Sequence, residues 1–373
     1  MIRIIHTADN HLGINYSNWK NKDAAQKASE ERFEALERIV QHANSINADY
    51  LVIAGDLFEN ITVKVATIDK SLAILKKSNV PVVIIPGNHD YYENDENKLW
   101  KTFLRKSENT AIQLLNSYKP QRIDSGEKSA WFYPCYCDNK HSDTGRIDWV
   151  ERSDEIADAH IGIAHGNLEG LGLGADKYFN MTKEELLAKN LDLWLLGHIH
   201  VPWPNQASFN GERILMPGTH TPDGYGRLHP GGFFDIKFHD SQNIEVEWIK
   251  SGQFSFQILE EVLSQTDDIR TLKNKLASFT PESTLIKIKL IGRLAENDLQ
   301  ELNHMLSETG TSILDFQIDN KVIKKLEQAD INRAYPQESL PFKLLTQLAG
   351  RAQNEDAALA LELGYNLFQK HSK

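Results

Sequence analysis

The stretch Tyr50-Leu51-Val52-Ile53-Ala54-Gly55-Asp56 decides the fold. An apolar run this short, with no polar alternation and closed by a glycine and an acid, reads as a strand buried on both faces. Helical spacing over residues 63–77 follows it. Then comes a second such run, Val80-Pro81-Val82-Val83-Ile84-Ile85, closed by Pro86-Gly87. On the other side, residues 2–8 form a further buried strand that ends at Asp9. Between them, residues 29–46 have helical spacing, with Phe33, Leu36, Ile39, Val40 and Ala43 on one face. This strand–helix–strand alternation predicts a layered α/β domain with crossover connections.

Farther along, residues 129–136 read as a strand and residues 147–158 as a helix. His160–Ala164 is a strand leading into His165, and Leu191–Leu196 one leading into Gly197-His198. Arg213–Met216, Gly232–Phe238 and Ile244–Ile249 are expected to be successive antiparallel strands. Near Gly252 the pattern changes to strand (254–259), helix (267–278), strand (284–291), helix (296–307) and strand (312–318), a compact α+β unit. One last helix is expected over 340–369, where Leu344, Leu345, Leu348, Leu359, Leu363 and Leu367 have helical spacing. The expected domains are therefore 1–252 and 253–373.

The 373 residues are 40% hydrophobic and 25% charged, an ordinary globular balance. No stretch approaches the ~18 uncharged apolar residues of a membrane span. Met1-Ile2-Arg3-Ile4-Ile5 runs straight into a strand, without the architecture of a secretion signal. The two cysteines, Cys135 and Cys137, are one residue apart and offer no disulfide framework. These features point to the cytoplasm and to no membrane partner. The formal charge of −11 weighs against nucleic acid, whose binding footprints are usually basic. Bound dications would reverse that locally.

Metal-ligand residue types recur in a fixed order, each beside a strand end. They lie in Asp9-Asn10-His11, Gly55-Asp56, Gly87-Asn88-His89-Asp90, Ala164-His165-Gly166 and Gly197-His198-Ile199-His200. Side chains that follow strands converge at the carboxyl ends of an open α/β sheet, where such sheets place their sites. A mixed Asp/His set suits first-row divalent ions such as Mn²⁺, Fe²⁺ or Zn²⁺, whereas Mg²⁺ and Ca²⁺ prefer oxygen shells. Any one histidine or Gly-Asp pair alone means nothing; the ordered set points to a two-metal phosphoesterase.

The ordered motifs resemble the calcineurin-like metallophosphoesterase superfamily. Ile5-His6-Thr7-Ala8-Asp9-Asn10-His11-Leu12-Gly13, with Gly55-Asp56-Leu57-Phe58 and Gly197-His198-Ile199-His200, is similar more narrowly to the SbcD-type DNA repair exonuclease family. The resemblance covers residues 1 to about 240 and implies an α/β/β/α sandwich with a smaller C-terminal α+β cap. It implies that Asp9, His11 and His200 bind one ion, that Asn88, His165 and His198 bind the other, and that Asp56 bridges them. The ions would be two divalent cations, first of all Mn²⁺. His89 would be a catalytic non-ligand that protonates the leaving oxygen, a role histidine suits because its ring titrates near neutrality. The implied activity is phosphodiester hydrolysis of DNA, exonuclease or endonuclease, in repair. A homodimer and an SbcC-like SMC-type ATPase are the implied partners. The alternative is a metallophosphoesterase for cyclic nucleotides or phosphoproteins.

Four further readings stay two-sided at this level. Asp90 either orients His89 or caps the following turn, with the cap favoured. Glu59 stands where the resembled family often has Asp or His, and reads by default as an exposed acid. His220 and Arg227, on the loop Pro217–Arg227, either contact a phosphate or supply ordinary loop polarity. Tyr16, Trp19, Lys20 and Lys22 either stack bases and bind backbone phosphates or belong to an ordinary loop.

Overall fold

The computed structural model describes residues 1–171, 178–226, 228–351 and 355–371. The chain divides into two compact units, Met1–Phe256 and Gln257–Lys373.

The first unit runs β1 (Ile2–Thr7), α1 (Lys22–Ser45), β2 (Tyr50–Ala54), α2 (Val65–Leu75), β3 (Val82–Ile85), α3 (Lys98–Ser107), β4 (Ile112–Leu114), β5 (Gln121–Ser125), β6 (Lys128–Cys135), β7 (Ala159–His165), α4 (Lys183–Ala188), β8 (Leu193–Gly197), β9 (Ser208–Asn210), β10 (Ile214–Leu215), β11 (Gly232–Asp240) and β12 (Asn243–Lys250). A seven-stranded sheet has the order β4-β3-β2-β1-β11-β12-β9, and a five-stranded sheet β10-β8-β7-β6-β5. β1 to β4 are mutually parallel, as are β6, β7, β8 and β10; β11, β12 and β9 complete the large sheet antiparallel.

Side-chain alternation explains why two sheets pack. Ile161, Ile163, Leu193 and Leu195 share one core with Tyr50 and Val52, which face them from the other sheet. From the same strands Ala164, Trp194 and Leu196 point the opposite way, into a second core closed by Leu186 of α4 with Ile147, Val150 and Met181. Helix α1 starts at Asn21, whose side chain accepts from the N–H of Ala24, and buries Leu36, Ile39, Val40 and Ala43. The result is the α/β sandwich that the sequence predicts.

The second unit opens within β13 (Ser255–Leu263), of which residues 257–263 belong to it. It comprises α5 (Thr266–Ala277), β14 (Thr284–Leu294), α6 (Glu296–Ser312), β15 (Asp315–Lys324), α7 (Gln328–Ala334), α8 (Leu340–Ala349) and α9 (Glu355–His371). β13, β14 and β15 form a sheet in that order, β14 and β15 parallel. Leu272, Ile288, Leu302 and Leu306 lie in its core.

Three expectations are corrected. Residues 147–158 are turns and extended chain, not helix, because Ile147 and Val150 are buried as single anchors under the second core. The single helix over 340–369 is two helices. The break lets Leu345 of α8 and Leu361 of α9 bury together with Ile331 and Tyr335, which one straight helix could not arrange. Ile214–Leu215 pairs parallel with β8, not antiparallel in the β11–β12 hairpin.

Candidate metal centre

Each donor segment leaves the carboxyl end of a parallel strand: β1, β2 and β3 in one sheet, β7 and β8 in the other. The chain must turn sharply there. Asp9 (φ 52°), His11 (φ 47°), Asp56 (φ 52°) and His198 (φ 104°) all sit in left-handed backbone, uncommon for side-chain-bearing residues and typical of functional sites. The turns are held: His11 N–H donates to Asp56 O (2.9 Å), His89 N–H to Asp56 Oδ1 (2.8 Å), and His198 N–H to Asp9 Oδ2 (3.0 Å). Two glycines make the crowding possible. A Cβ on Gly55, itself at φ +88°, would lie 2.2 Å from His165 Nδ1, and one on Gly197 2.0 Å from Ala54 O.

All seven sequence-proposed donors come together in two adjoining clusters, five of them buried and His198 and His200 half-buried. In the first, His11 Nε2 is 3.2 Å from His200 Nε2, and His200 Nε2 is 3.8 Å from Asp9 Oδ1. In the second, Asn88 Oδ1 is 3.0 Å from His165 Nε2 and 3.1 Å from His198 Nδ1. Asp56 lies between them, its Oδ2 3.2 Å from His165 Nε2 and 3.8 Å from His11 Nε2. Donor atoms of Asp9, His11 and His200, of Asp9, Asp56 and His165, and of His11, Asp56 and His89 each fall within 4.8 Å of one another.

The donor set fits divalent cations. His165 donates Nδ1–H to Ala54 O (2.8 Å), and His200 donates Nδ1–H to Asp223 Oδ2 (2.5 Å). Those bonds leave the Nε2 lone pairs turned inward. His165 Nε2 then faces Asp56 and Asn88 oxygens, and His200 Nε2 faces His11 Nε2. Lone pairs converging in a dry site repel one another unless a positive charge lies among them.

The electrostatics say the same. Burial alone would raise Asp56, but neighbouring His165 overrides it and holds the carboxyl well below the usual carboxylate range. Burial pushes His165 down, and the Asp56 carboxylate more than reverses this, to about 9. Burial, reinforced by His165, lowers His198 to about 3. Without an ion, a proton on His165 supplies the cation that Asp56 requires.

His89 lies beside this cluster, half-buried, its ring edge-on to His11 at 4.7 Å between centroids. It donates Nδ1–H to Glu59 O (2.9 Å), which leaves Nε2 as the atom that can exchange a proton. Asp90 neither orients His89 nor caps a helix. Fully buried, it accepts from Gly87 N–H (2.7 Å) and Phe58 N–H (2.9 Å), bracketing the loops that carry Asn88 and Asp56. Burial, then the Asp56 charge, raises it to about 7. Glu59 is not a free surface acid: its Oε2 is 3.1 Å from His11 Nδ1.

His220 is fully buried, its Nε2 2.8 Å from Arg32 O, so it packs against α1 and reaches no phosphate. Arg227 lies outside the described residues. Tyr16 turns inward, its OH accepting from Arg32 Nε (3.0 Å), and Trp19 packs on it at 4.5 Å between centroids. This supports the ordinary-loop reading of Tyr16 and Trp19.

Sequence reasoning missed Asp223 and Arg32. Arg32, with 1% of its side chain exposed, donates to Tyr16, to Asn10 O (2.9 Å) and to Asp223 Oδ1 (2.8 Å), while Asp223 holds His200. The only sequence signal was an acid in Pro222-Asp223-Gly224, on the loop already singled out for His220.

A model of the calcineurin-like phosphoesterase family matches residues 2–202. Among curated proteins, the chain is similar to the uncharacterised metallophosphoesterase YhaO of Bacillus subtilis, 27% identical over 207 residues, 53% of this chain and 48% of that one. It is similar to the DNA double-strand break repair protein Mre11 of Archaeoglobus fulgidus, 35% identical over 232 residues, 58% of this chain and 50% of that one. The Mre11 of Methanopyrus kandleri is 25% identical over 280 residues, 66% of this chain and 57% of that one. The chain spans about half the length of these relatives.

Proposed function

The chain belongs to the calcineurin-like phosphoesterase family, and on that premise we propose that it is a nuclease that hydrolyses phosphodiester bonds of DNA in repair. The carrying observation is the pair of donor clusters that share Asp56. In this reading Asp9, His11 and His200 hold one divalent ion, and Asn88, His165 and His198 the other. Asp56 serves both. Mn²⁺ is the first choice of ion, then Fe²⁺ or Zn²⁺. The chemistry two such ions supply is neutralisation of phosphate charge and activation of water for in-line attack.

The protein's own part is positioning and proton transfer. His89, fixed through Nδ1 on Glu59 O, delivers a proton from Nε2 to the leaving oxygen. Asp90 keeps the Asp56 and Asn88 loops in register through two backbone N–H groups. DNA as substrate draws support from similarity to proteins named for double-strand break repair. Residues 253–373 are proposed to select DNA ends. A homodimer, an SMC-type ATPase partner and a cytoplasmic setting belong to the same reading. Among the described residues no helix is long and apolar enough to cross a membrane.

The second reading, hydrolysis of cyclic nucleotides or phosphoproteins, is favoured by the −11 charge and by the inward-facing Tyr16 and Trp19. One panel separates the two: Mn²⁺-dependent release of nucleotides from linear DNA against hydrolysis of cyclic nucleotides and phosphopeptides. Activity on the small substrates alone would overturn the nuclease reading. His89→Asn should bind both ions and lose roughly 10²–10⁴ in rate. Loss of an ion instead would make His89 a ligand.

A further inference from the structure

The two halves of the centre differ in what stands behind their histidines. His11 has the Glu59 carboxylate 3.1 Å from Nδ1, and His200 has the Asp223 carboxylate 2.5 Å from Nδ1. Arg32 binds the other oxygen of Asp223 (2.8 Å) and also Asn10 O (2.9 Å), between Asp9 and His11. One buried guanidinium therefore ties together the loops carrying Asp9, His11 and, through Asp223, His200. Among the described residues the opposite half has no such carboxylate. His165 rests on the neutral carbonyl of Ala54, and His198 points Nδ1 at the neutral amide of Asn88. Asp56 is common to both, as is Asp90 behind it. Leaving those aside, among the described residues one half contains three carboxylates against one guanidinium, and the other half none.

A carboxylate on the far nitrogen of a ligating histidine fixes its tautomer, aims its lone pair and enriches the ligating nitrogen. Losing such a partner typically costs 10–100-fold in metal affinity. The Ala54 carbonyl fixes the tautomer of His165 too, but among the described residues the added negative charge of a carboxylate acts on one half only.

We infer that the two ion positions are unequal: the Asp9–His11–His200 position is the tight one, and Glu59 and Asp223 are the positioning residues that make it so. The other position is the exchangeable one, filled last and emptied first. This rests on the two-ion reading of the site.

The test is calorimetric titration of the metal-free full-length chain with Mn²⁺, followed in parallel by electron paramagnetic resonance. Two equivalents should bind in two separate steps, the first giving the spectrum of an isolated ion and the second that of a coupled pair. Glu59→Gln should weaken the first step by roughly 10–100-fold and leave the second unchanged. Glu59→Asp should restore part of the loss, and Asp223→Asn should repeat the Glu59→Gln pattern. Metal-free Glu59→Gln should melt with the wild type, which separates positioning from folding. If Asp223→Asn does not fold, Glu59→Gln decides alone. Two ions of equal affinity, or variants that weaken both steps together or only the second, would overturn the inference. Failure of the wild type to bind two ions would instead overturn the two-ion reading itself.

Discussion

Replacing Arg32 by Met keeps the length and apolar stem of the side chain but leaves three partners bare. They are Tyr16 OH at 3.0 Å, Asn10 O at 2.9 Å and Asp223 Oδ1 at 2.8 Å. Removing one member of a buried ion pair costs about 3–5 kcal/mol, and each neutral buried group left unpaired about 1–3. Asp223 keeps its bond to His200, and 23% of its side chain is exposed, so its share falls at the low end. Taken at their low ends, these costs total about 5 kcal/mol. At roughly 2–4 °C per kcal/mol for a domain of this size, the melting point should fall by roughly 10–20 °C. All seven tryptophans lie in Met1–Phe256, so tryptophan emission follows that unit alone. In the double variant Arg32→Met, Asp223→Asn no buried charge is left unpaired, and part of the loss should return. A single variant melting within about 2 °C of wild type in chelator, or a double variant showing the plain sum of both losses, would refute the buried-clamp argument.

Gly55→Ala should cost about 1–3 kcal/mol from its φ of +88° alone and, by driving a Cβ into His165 Nδ1, remove one of two Mn²⁺ equivalents in the calorimetric titration. Retention of both would show that the loop yields. Asp90→Asn must turn an NH₂ towards either Gly87 N–H or Phe58 N–H; urea denaturation should show a loss of about 1–3 kcal/mol, and an unchanged midpoint would contradict the bracket. His6 is fully buried on β1, and burial lowers it to about 3, only partly offset by the Leu196 backbone. The unfolded chain takes up that proton near pH 6.5 and the folded chain only near 3. Stability should therefore fall as pH drops between them, by up to about 1.4 kcal/mol per unit. His6→Leu should flatten the metal-free melting profile over that window; an identical slope would assign the loss to other groups.

The sandwich was legible because strands buried on both faces are apolar without alternation, and their ends announce themselves by Gly-Asp, Asn-His or His-x-His. The same signal located the donor segments, since each leaves the carboxyl end of its strand. What stayed hidden depends on distance along the chain. Arg32 and Asp223 are separated by 191 residues, and nothing local marks either as a partner of the other. Asp90 looked like a cap because Asp before a turn usually is one. Only the folded chain brings Phe58 N–H to it. Residues 147–158 misled because buried anchors spaced three apart imitate a helical face. The break between α8 and α9 escaped because a leucine stripe has the same period in one helix or two.

β1 has consequences for the order in which the protein is made. It pairs with residues 50–53 on one side and with 234–238 on the other. Asp9 and His11 emerge from the ribosome early, yet the strand that carries them lacks its second neighbour until some 230 residues have followed. The last donors, His198 and His200, appear late, and Asp223 later still. No nascent or prematurely terminated chain short of β11 contains both the full donor set and the completed sheet that aims it. A hydrolase of this build has no complete site until its first unit closes.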